Sequence, residues 1–396
     1  MEIKTTAVSA NRLTARENVQ FLQEGDIIVP DNKPDIEKIL RTSGNVVIDS
    51  TNIADGRLNY RGHIALDCLY LSKGENKKLH TMSKDIEIND FIAISGIEEN
   101  MSPKLKCTIE NIDTGILNER KINYKISGNA FADVNEVVEI NAVSSIDDLS
   151  ENQQKLTTIK TTKNICSKTE KINIKEEVAI PPTKLPIDEI ISIEPTLLNT
   201  EAVPSQDSVK ISGDITASML YTSNESSVPE VFDIDIPFDG MIETEDVEPN
   251  MEINTDLTIT DFYYDVSEDE NGENRIVNLE FVINACIEAY ATQENEILED
   301  AYSVNNNITM ENETLCYDRE VCRNKSQCPV KDMVSIDNDC PAMLQIIKAV
   351  GTPYIDVISI FDNKVVIDGV INVSILYAMI QCRFTVLMVL FLFLRL

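Results

Sequence analysis

The segment VPDNKPDIEKIL (29–40) recurs along the chain and sets its organisation. It aligns with IPPTKLPIDEII (180–191) and, less closely, with IDNDCPAMLQII (336–347). Each alignment also brings together, without a gap, a second segment that ends in tyrosine: YRGHIALDCLY (60–70), ISGDITASMLY (211–221) and IDGVINVSILY (367–377). Because two separate patches keep one register, the sequence indicates three copies of one unit.

The tyrosine-ending segments predict β-structure. Apolar side chains alternate along each of them, which is typical of a strand with one buried face. A shorter alternating strand precedes each segment, and the glycine between the two strands, Gly62 in copy one, suits a bulge or a sharp bend. The alternating residues are Ile64, Leu66, Cys68 and Tyr70, then Ile215, Ala217, Met219 and Tyr221, then Ile371, Val373, Ile375 and Tyr377.

The segment 29–40 itself predicts a short helix. Pro34 suits the first helical position, and Asp35 and Glu37 suit the positive end of the helix dipole. The fold class is therefore predicted as mainly β with a minor α component: tandem sandwich-like or barrel-like β-repeats, each with one short proline-led helix. The apolar face at helical spacing consists of Ile36, Ile39 and Leu40.

The copies predict a division of the chain into repeats at 1–151 and 152–307, a partial repeat at 308–379 and an apolar tail at 380–396. The tail, IQCRFTVLMVLFLFLRL, departs from the pattern of the other copies. Its apolar run is shorter than the about 20 residues of a membrane span. Three interpretations stay open: a frameshifted or truncated gene product, a terminal strand that pairs with the partial repeat, and a membrane-associating tail.

The composition excludes some classes of partner. The chain has 34 Lys and Arg against 67 Asp and Glu, and its net charge is −33. Such a chain repels nucleic acid and anionic lipid, which leaves basic proteins and cations as partners. The first residues lack an apolar signal region, and the nine cysteines are irregularly spaced, so a cytoplasmic location is expected.

Few residues in the sequence suggest chemistry. His63 and His80 are the two histidines, too few for a multi-histidine metal site. The acidic loop around Asp269 lacks the calcium-loop spacing and predicts a solvated hairpin. No catalytic, cofactor-binding or metal site is predicted. The cysteines that lie closest together, Cys316, Cys322, Cys328 and Cys340, lack the close pairs that zinc sites use.

The segment 29–40, followed by a strand from Gly62 to Tyr70, resembles the SPOCS domain, which occurs in tandem copies in spore-forming clostridia. The resemblance extends to about Met379 and weakens after copy one, where Asp35 is replaced by Pro186 and then by Ala342. Some members of the family carry a LysM module after such repeats. None follows here, which predicts a chain cut short before LysM and leaves docking through LysM in doubt. The residues that carry the motif are Pro30, Asp31, Lys33, Pro34, Asp35, Glu37, Gly62 and Tyr70.

The resemblance implies a non-enzymatic role in sporulation, in the mother-cell cytoplasm at the forespore surface. There the protein would help assemble or attach coat and cortex layers through contacts with spore-coat assembly proteins, and also with peptidoglycan if a LysM module exists in the full-length form. Two alternatives are a β-repeat protein that binds peptidoglycan and an enzyme of the cell envelope. The lack of tryptophan disfavours the first, and the scarcity of histidine disfavours the second.

Overall fold

The computed structural model of the chain describes residues 2–74, 78–147, 152–226, 228–303, 308–312, 314, 316–318, 329–333, 342–361, 364–379 and 383–394. These residues form fifteen strands and no helix. The strands are β1 (Glu2–Ile28), β2 (Ile36–Ala54), β3 (Arg57–Ser72), β4 (Leu79–Ala93), β5 (Ser102–Asn118), β6 (Lys121–Asp147), β7 (Asn152–Ala179), β8 (Glu189–Ser205), β9 (Ser208–Thr222), β10 (Glu230–Glu243), β11 (Glu252–Glu268), β12 (Asn274–Ser303), β13 (Met343–Phe361), β14 (Lys364–Met379) and β15 (Arg383–Leu394).

Copies one and two share one architecture, in which two three-stranded antiparallel sheets enclose an apolar core. The sheets of copy one run in the order β1-β6-β5 and β2-β3-β4, and copy two repeats this order with β7-β12-β11 and β8-β9-β10. Each core takes side chains from both sheets. Each complete copy is therefore a small β-sandwich, which confirms the mainly β prediction.

The middle strands β3 and β9 carry the predicted alternation. Ile64, Leu66 and Tyr70 of β3 are fully buried in the core of copy one, as are their counterparts in β9. Burial of each such side chain stabilises the fold by about 1.5–3 kcal/mol. Gly62 lies inside the single strand β3 rather than between two strands, so the prediction of two separate strands is wrong.

The predicted helix is also wrong. Residues 29–35 form a turn, and β2 begins directly afterwards at Ile36. Copy two follows the same course, with a turn before β8. In copy three, residues 336–341 lie outside the described part of the chain, and β13 begins at Met343.

Two β-bulges explain the misleading spacing. In the pairing of β2 with β3, Glu37 and Leu40 have no partner residue in the register. A bulge inserts one residue and resets the alternation of side chains along a strand. Ile36 and Ile39, three residues apart, therefore both face the core of copy one, as two residues on one face of a helix would. Leu40 packs elsewhere, in a cluster that takes side chains from all three copies.

Copy three forms a single sheet in the order β13-β14-β15. The tail supplies β15, which pairs with β14 in the position that β4 takes beside β3: Tyr377 lies opposite Thr385, as Tyr70 lies opposite His80. For residues 383–394 this backbone pairing matches the interpretation of the tail as a terminal strand. The frameshift in the gene stays a prediction.

The three equivalent sheets meet in one apolar cluster, the repeat junction. Leu40, Ile191 and Ile347 hold equivalent positions in the three copies, and each is the residue left without a partner at a register shift. The copies are therefore joined by side chains that each repeat contributes from the same place. The junction consists of Leu40, Leu69, Leu71, Leu79, Ile191, Leu220, Val231, Ile347, Leu376 and Ala378.

Candidate functional site at the signature turn

Residues 29–35, here called the signature turn, link β1 to β2. The turn is closed by the amide of Lys33, which donates to the carbonyl of Pro30 at 2.9 Å. Its two ends are fixed to the tip of the β5–β6 hairpin, because the amide of Val29 donates to the carbonyl of Arg120 at 2.9 Å and that of Ile36 to Glu119 at 2.8 Å. The signature turn is therefore held at both ends by backbone hydrogen bonds.

The side chain of Arg120 fixes the same turn. Its Nη1 donates to the carbonyl of Lys33 and to the carboxylate of Asp35, both at 3.0 Å. Its Nη2 donates to the carbonyls of Val29 at 3.0 Å and Pro30 at 2.9 Å. A guanidinium presents its donors in a rigid planar fork, which suits several acceptors arranged around it. Asp35 thus serves the turn and does not stand as a free acid.

The motif tyrosine closes the turn from the core side. The hydroxyl of Tyr70 donates to the carbonyl of Pro34 at 3.0 Å. Burial, with a smaller contribution from the charge of Glu189, raises the pKa of Tyr70 to about 12. The hydroxyl therefore stays protonated near neutral pH and keeps its role as a donor.

Copy two repeats this arrangement with different side chains around it. The hydroxyl of Tyr221 donates to the carbonyl of Leu185 at 3.0 Å, and Nη1 of Arg275 donates to the carbonyl of Lys184 at 2.8 Å. Glu273 pairs with the same arginine from the hairpin beside it, at 2.5 Å. What the two copies share is thus the tyrosine and the arginine that hold the turn.

These two arginines were missed in the sequence, although a signal was present. Arg120 and Arg275 lie 155 positions apart, the offset that aligns Asn123 with Asn278 in the last strand of each copy. Arg120 comes directly before the first residue of β6, and Arg275 is the second residue of β12. Extending the alignment back by three residues would have found them.

Lys33 connects copy one to copy two. Its Nζ lies 2.6 Å from Oε1 of Glu189 at the start of β8. The other carboxylate oxygen of Glu189 lies 3.5 Å from Nδ1 of His80. Burial lowers the pKa of His80, and the charge of Glu189 offsets this only in part. The motif lysine is thus part of a polar contact between repeats.

Two motif acids face the solvent. The side chain of Asp31 is fully exposed, with one oxygen 3.6 Å from Nη2 of Arg120. Glu37 is exposed at the first bulge of β2. Of the charged residues that carry the motif, Lys33 and Asp35 are engaged inside the fold, and Asp31 and Glu37 present negative charge outward.

Gly62 is needed for a close approach of two strands. A Cβ at this position would lie 2.1 Å from the carbonyl oxygen of Val47 on β2, next to the register shift between Ile48 and Ser50. At Gly213 in copy two a Cβ would lie 2.9 Å from the ring of Phe238. The motif glycine therefore has a packing role.

A polar cluster lies beside the repeat junction. Glu194 of β8 accepts from Nη1 of Arg41 at 2.8 Å and lies 3.1 Å from Nζ of Lys348 on β13. Burial pushes the pKa of Glu194 upward, but the two cations outweigh it and leave that pKa below its ordinary value. Burial lowers the pKa of Lys348, against the opposing charge of Glu194. One residue from each copy thus forms the cluster, which borders a cavity of about 920 Å³.

The residues considered for chemistry are dispersed. His63 lies 3.7 Å from Asp49, on the face of β3 opposite Tyr70, and His80 lies on the edge strand β4. In the described part of the chain, no group of three or more His, Cys, Asp or Glu residues is placed to hold a metal ion. The prediction of no metal stays a prediction, since Cys322, Cys328 and Cys340 lie outside the described residues.

The thiols and the acidic loop have structural surroundings. Burial raises the pKa of Cys68 to about 12 and that of Cys107 to about 11, so neither forms a thiolate readily. Oδ1 of Asp269 accepts from the amides of Glu273 and Asn271, which lower its pKa. This carboxylate therefore closes the turn of the β11–β12 hairpin, at the place where the sequence predicted a hairpin loop.

The fold and the signature turn define a class of protein, built from tandem all-β repeats that share one internally bonded turn. A family model described as "SipL, SPOCS domain" matches residues 35–117 and 186–267, the equivalent parts of copies one and two. The two matched segments are consistent with a tandem SPOCS-domain protein, and this domain points to a protein family related to sporulation.

Two other comparisons gave no relatives. No curated protein and no solved structure matches the chain. Within the described residues, no helix has the length and apolar character that crossing a membrane requires.

Proposed function

We propose that this protein is a non-enzymatic assembly protein of sporulation. It works in the mother-cell cytoplasm at the forespore surface, where it helps to assemble or attach spore-coat and cortex layers through contacts with other proteins. The SPOCS match supports a role in sporulation. The more specific role rests on how the motif residues are used.

The observation that carries the proposal is the internal use of the motif. Arg120 and Tyr70 bind backbone carbonyls of the signature turn, and Lys33 pairs with Glu189 of the next repeat. Polar groups bound in this way hold a scaffold, whereas a catalytic site needs groups that can reach a substrate. Such a scaffold acts through the surface that it presents.

The surface charge suggests the chemistry of the partner. The chain carries a net charge of −33, and Asp31 adds a fully exposed carboxylate at the tip of the signature turn. Electrostatic complementarity favours a partner with a basic surface and speeds its association. The proposed partner is therefore a coat-assembly protein with a basic patch that contacts the turn of copy one.

The test is quantitative capture from extracts of sporulating clostridial cells. The full chain is compared with an Asp31→Lys variant and with Glu270→Lys, a matched control that reverses another exposed acid in a turn of copy two. Coat-assembly proteins should be enriched by the full chain and by Glu270→Lys, and reduced several-fold by Asp31→Lys. Recovery of general cytosolic proteins alone, from all three baits, would contradict the proposal.

The alternative of a glycan-binding protein finds little support in the aromatic side chains. Tyr263 and Tyr264 on β11 are both exposed, but neighbours on a strand point to opposite faces, so one sugar ring cannot stack on both. Sedimentation of the full chain with purified cortex peptidoglycan would favour this alternative, and we expect the chain to stay in the supernatant.

A further inference from the structure

The sheet of copy three has a face that is covered in the other copies. Leu58 and Val209 lie at equivalent positions of β3 and β9 and are fully buried beneath the second sheet of their sandwich. Their equivalent on β14, Val365, is 50% exposed. In the described part of the chain, β13, β14 and β15 form one sheet, with no second sheet over this face.

The register shows that this face, here called the open face, is apolar. It is exposed along β13, whereas on β14 it is exposed at Val365 and buried at its other end, at Ile375 and Tyr377. Residues directly opposite each other on paired strands point to the same side of a sheet. On β13 the residues opposite this row of β14 include Ile355, Ile358 and Ile360, which are 58%, 60% and 81% exposed. No charged residue occurs among the β13 and β14 positions of the face, which are Ile346, Ala349, Gly351, Pro353, Ile355, Ile358, Ile360, Val365, Ile367, Gly369, Ile371, Val373, Ile375 and Tyr377.

The complete repeats show what covers such a face. In copies one and two the cover is a three-stranded antiparallel sheet with an apolar inner face. The open face belongs to a sheet of that same description, so a second molecule offers a matching surface. A three-stranded sheet of this length is roughly 14 Å wide and roughly 40 Å long, on the order of 600 Å² in projection. That size is comparable with the about 800 Å² that each partner contributes to a stable interface.

We propose that the open face is a dimer interface. The sheet β13-β14-β15 of one copy packs against the same sheet of a second copy, and the two sheets form a β-sandwich. A two-fold axis makes such a contact self-complementary, because the same patch serves both partners. The interface goes beyond the proposed function, since it concerns association of the protein with itself and does not involve the signature turn.

The net charge gives the proposal a distinctive salt dependence. Two chains of −33 repel each other, whereas no charged residue occurs among the β13 and β14 positions of the open face. Raising the salt from about 0.1 M to about 1 M shortens the screening length from about 10 Å to about 3 Å. Higher salt should therefore tighten the dimer, which is the opposite of its effect on contacts between acidic and basic proteins.

The experiment is sedimentation velocity of the full chain across a concentration series, at low and at high salt. We expect a reversible dimer that tightens with salt and whose dissociation constant rises at least about 30-fold in Ile360→Lys. The matched control is Val357→Lys on the same strand. Val357 is similarly exposed at 52%, but it lies opposite Asp368 on the other face of the sheet. Far-UV circular dichroism checks that both variants keep their β-structure.

Each other outcome opposes the proposal. A chain that stays monomeric to about 100 µM at both salt concentrations, a range in which standard-size interfaces associate, shows that the open face does not bind a second copy. A dimer that Ile360→Lys leaves intact has its interface elsewhere. If Val357→Lys and Ile360→Lys weaken the dimer equally, the dimer does not depend on the open face.

Discussion

Arg120 and Gly62 show how single residues determine the signature turn and the close pairing of β3 with β2. Arg120 reaches three backbone carbonyls and one carboxylate, and Gly62 leaves room for the carbonyl of Val47. Neither residue needs a ligand to explain its place. Both residues therefore stabilise the fold, and measurements of the free energy of unfolding can test this role.

Replacing Arg120 by lysine should destabilise copy one by about 2 kcal/mol, because an ammonium cannot reproduce the planar fork that serves several acceptors. Urea unfolding followed by circular dichroism measures the change. Arg16→Lys is the control, since Arg16 forms an exposed pair with Asp133 that should contribute under about 1 kcal/mol. Equal losses in the two variants would mean that the turn does not depend on the guanidinium.

Gly62→Ala should cost more than about 2 kcal/mol, because the new methyl group would meet a backbone oxygen that cannot move without separating β2 from β3. Gly44→Ala is the comparison within the same sheet. Its methyl group would meet the ends of the Ile109 and Ile112 side chains at 3.1 Å, which can shift. Thermal unfolding of both variants gives the difference, and a Gly62→Ala variant as stable as Gly44→Ala would contradict the close approach.

At the scale of elements, β2 determines both the core of copy one and its contact with other copies. The bulges direct Ile36 and Ile39 into one core and Leu40 into the repeat junction. The sequence predicted the strand segments with alternating side chains, because a period of two is a direct signal of a half-buried strand. It did not predict the course of 29–40, because a bulge converts a period of two into a spacing that resembles a helix.

A double-mutant cycle distinguishes the bulged strand from a helix. Leu40→Ala and Ile191→Ala should couple by 0.5 kcal/mol or more, about the range measured for residues within one cluster. Ile39→Ala and Ile191→Ala should be additive, because Ile39 packs on the core of copy one. On a helix Ile39 and Leu40 would share a face, so equal coupling of both to Ile191 would contradict the assigned register.

At the scale of the whole molecule, the three copies are held together by the repeat junction and by the cluster of Arg41, Glu194 and Lys348. The recurrence of 29–40 predicted three copies, of which the family model matches two. Their mutual arrangement was not predicted, because contacts such as that of Lys33 with Glu189 join positions that are not equivalent in the repeat alignment. Arg120 could be found only by also aligning the last strand of each copy, where Asn123 matches Asn278.

Glu194→Gln should loosen the junction, because it leaves Arg41 and Lys348 partly buried without their carboxylate. We expect faster hydrogen exchange at the starts of β2, β8 and β13, measured by mass spectrometry. Glu299→Gln is the control, since Glu299 pairs with Lys155 on the surface. The fold lowers the pKa of Glu194 from 4.5, so its stabilising contribution is present above that value and is lost as the pH falls through the lower folded pKa. The difference between variant and wild type should accordingly shrink in acid, and a constant difference down to about pH 2 would contradict the assignment.

The proposed function is to attach or assemble spore-coat layers without catalysing a reaction. Thin-section electron microscopy of sporulating cells that lack the protein is its decisive test. We predict forespores that form normally but whose coat material is detached or misplaced, with restoration by the wild-type chain. The proposed function would be contradicted if the coat stayed attached in these cells as it does in wild-type cells. It would also be contradicted if restoring the coat required an enzymatic activity of the chain.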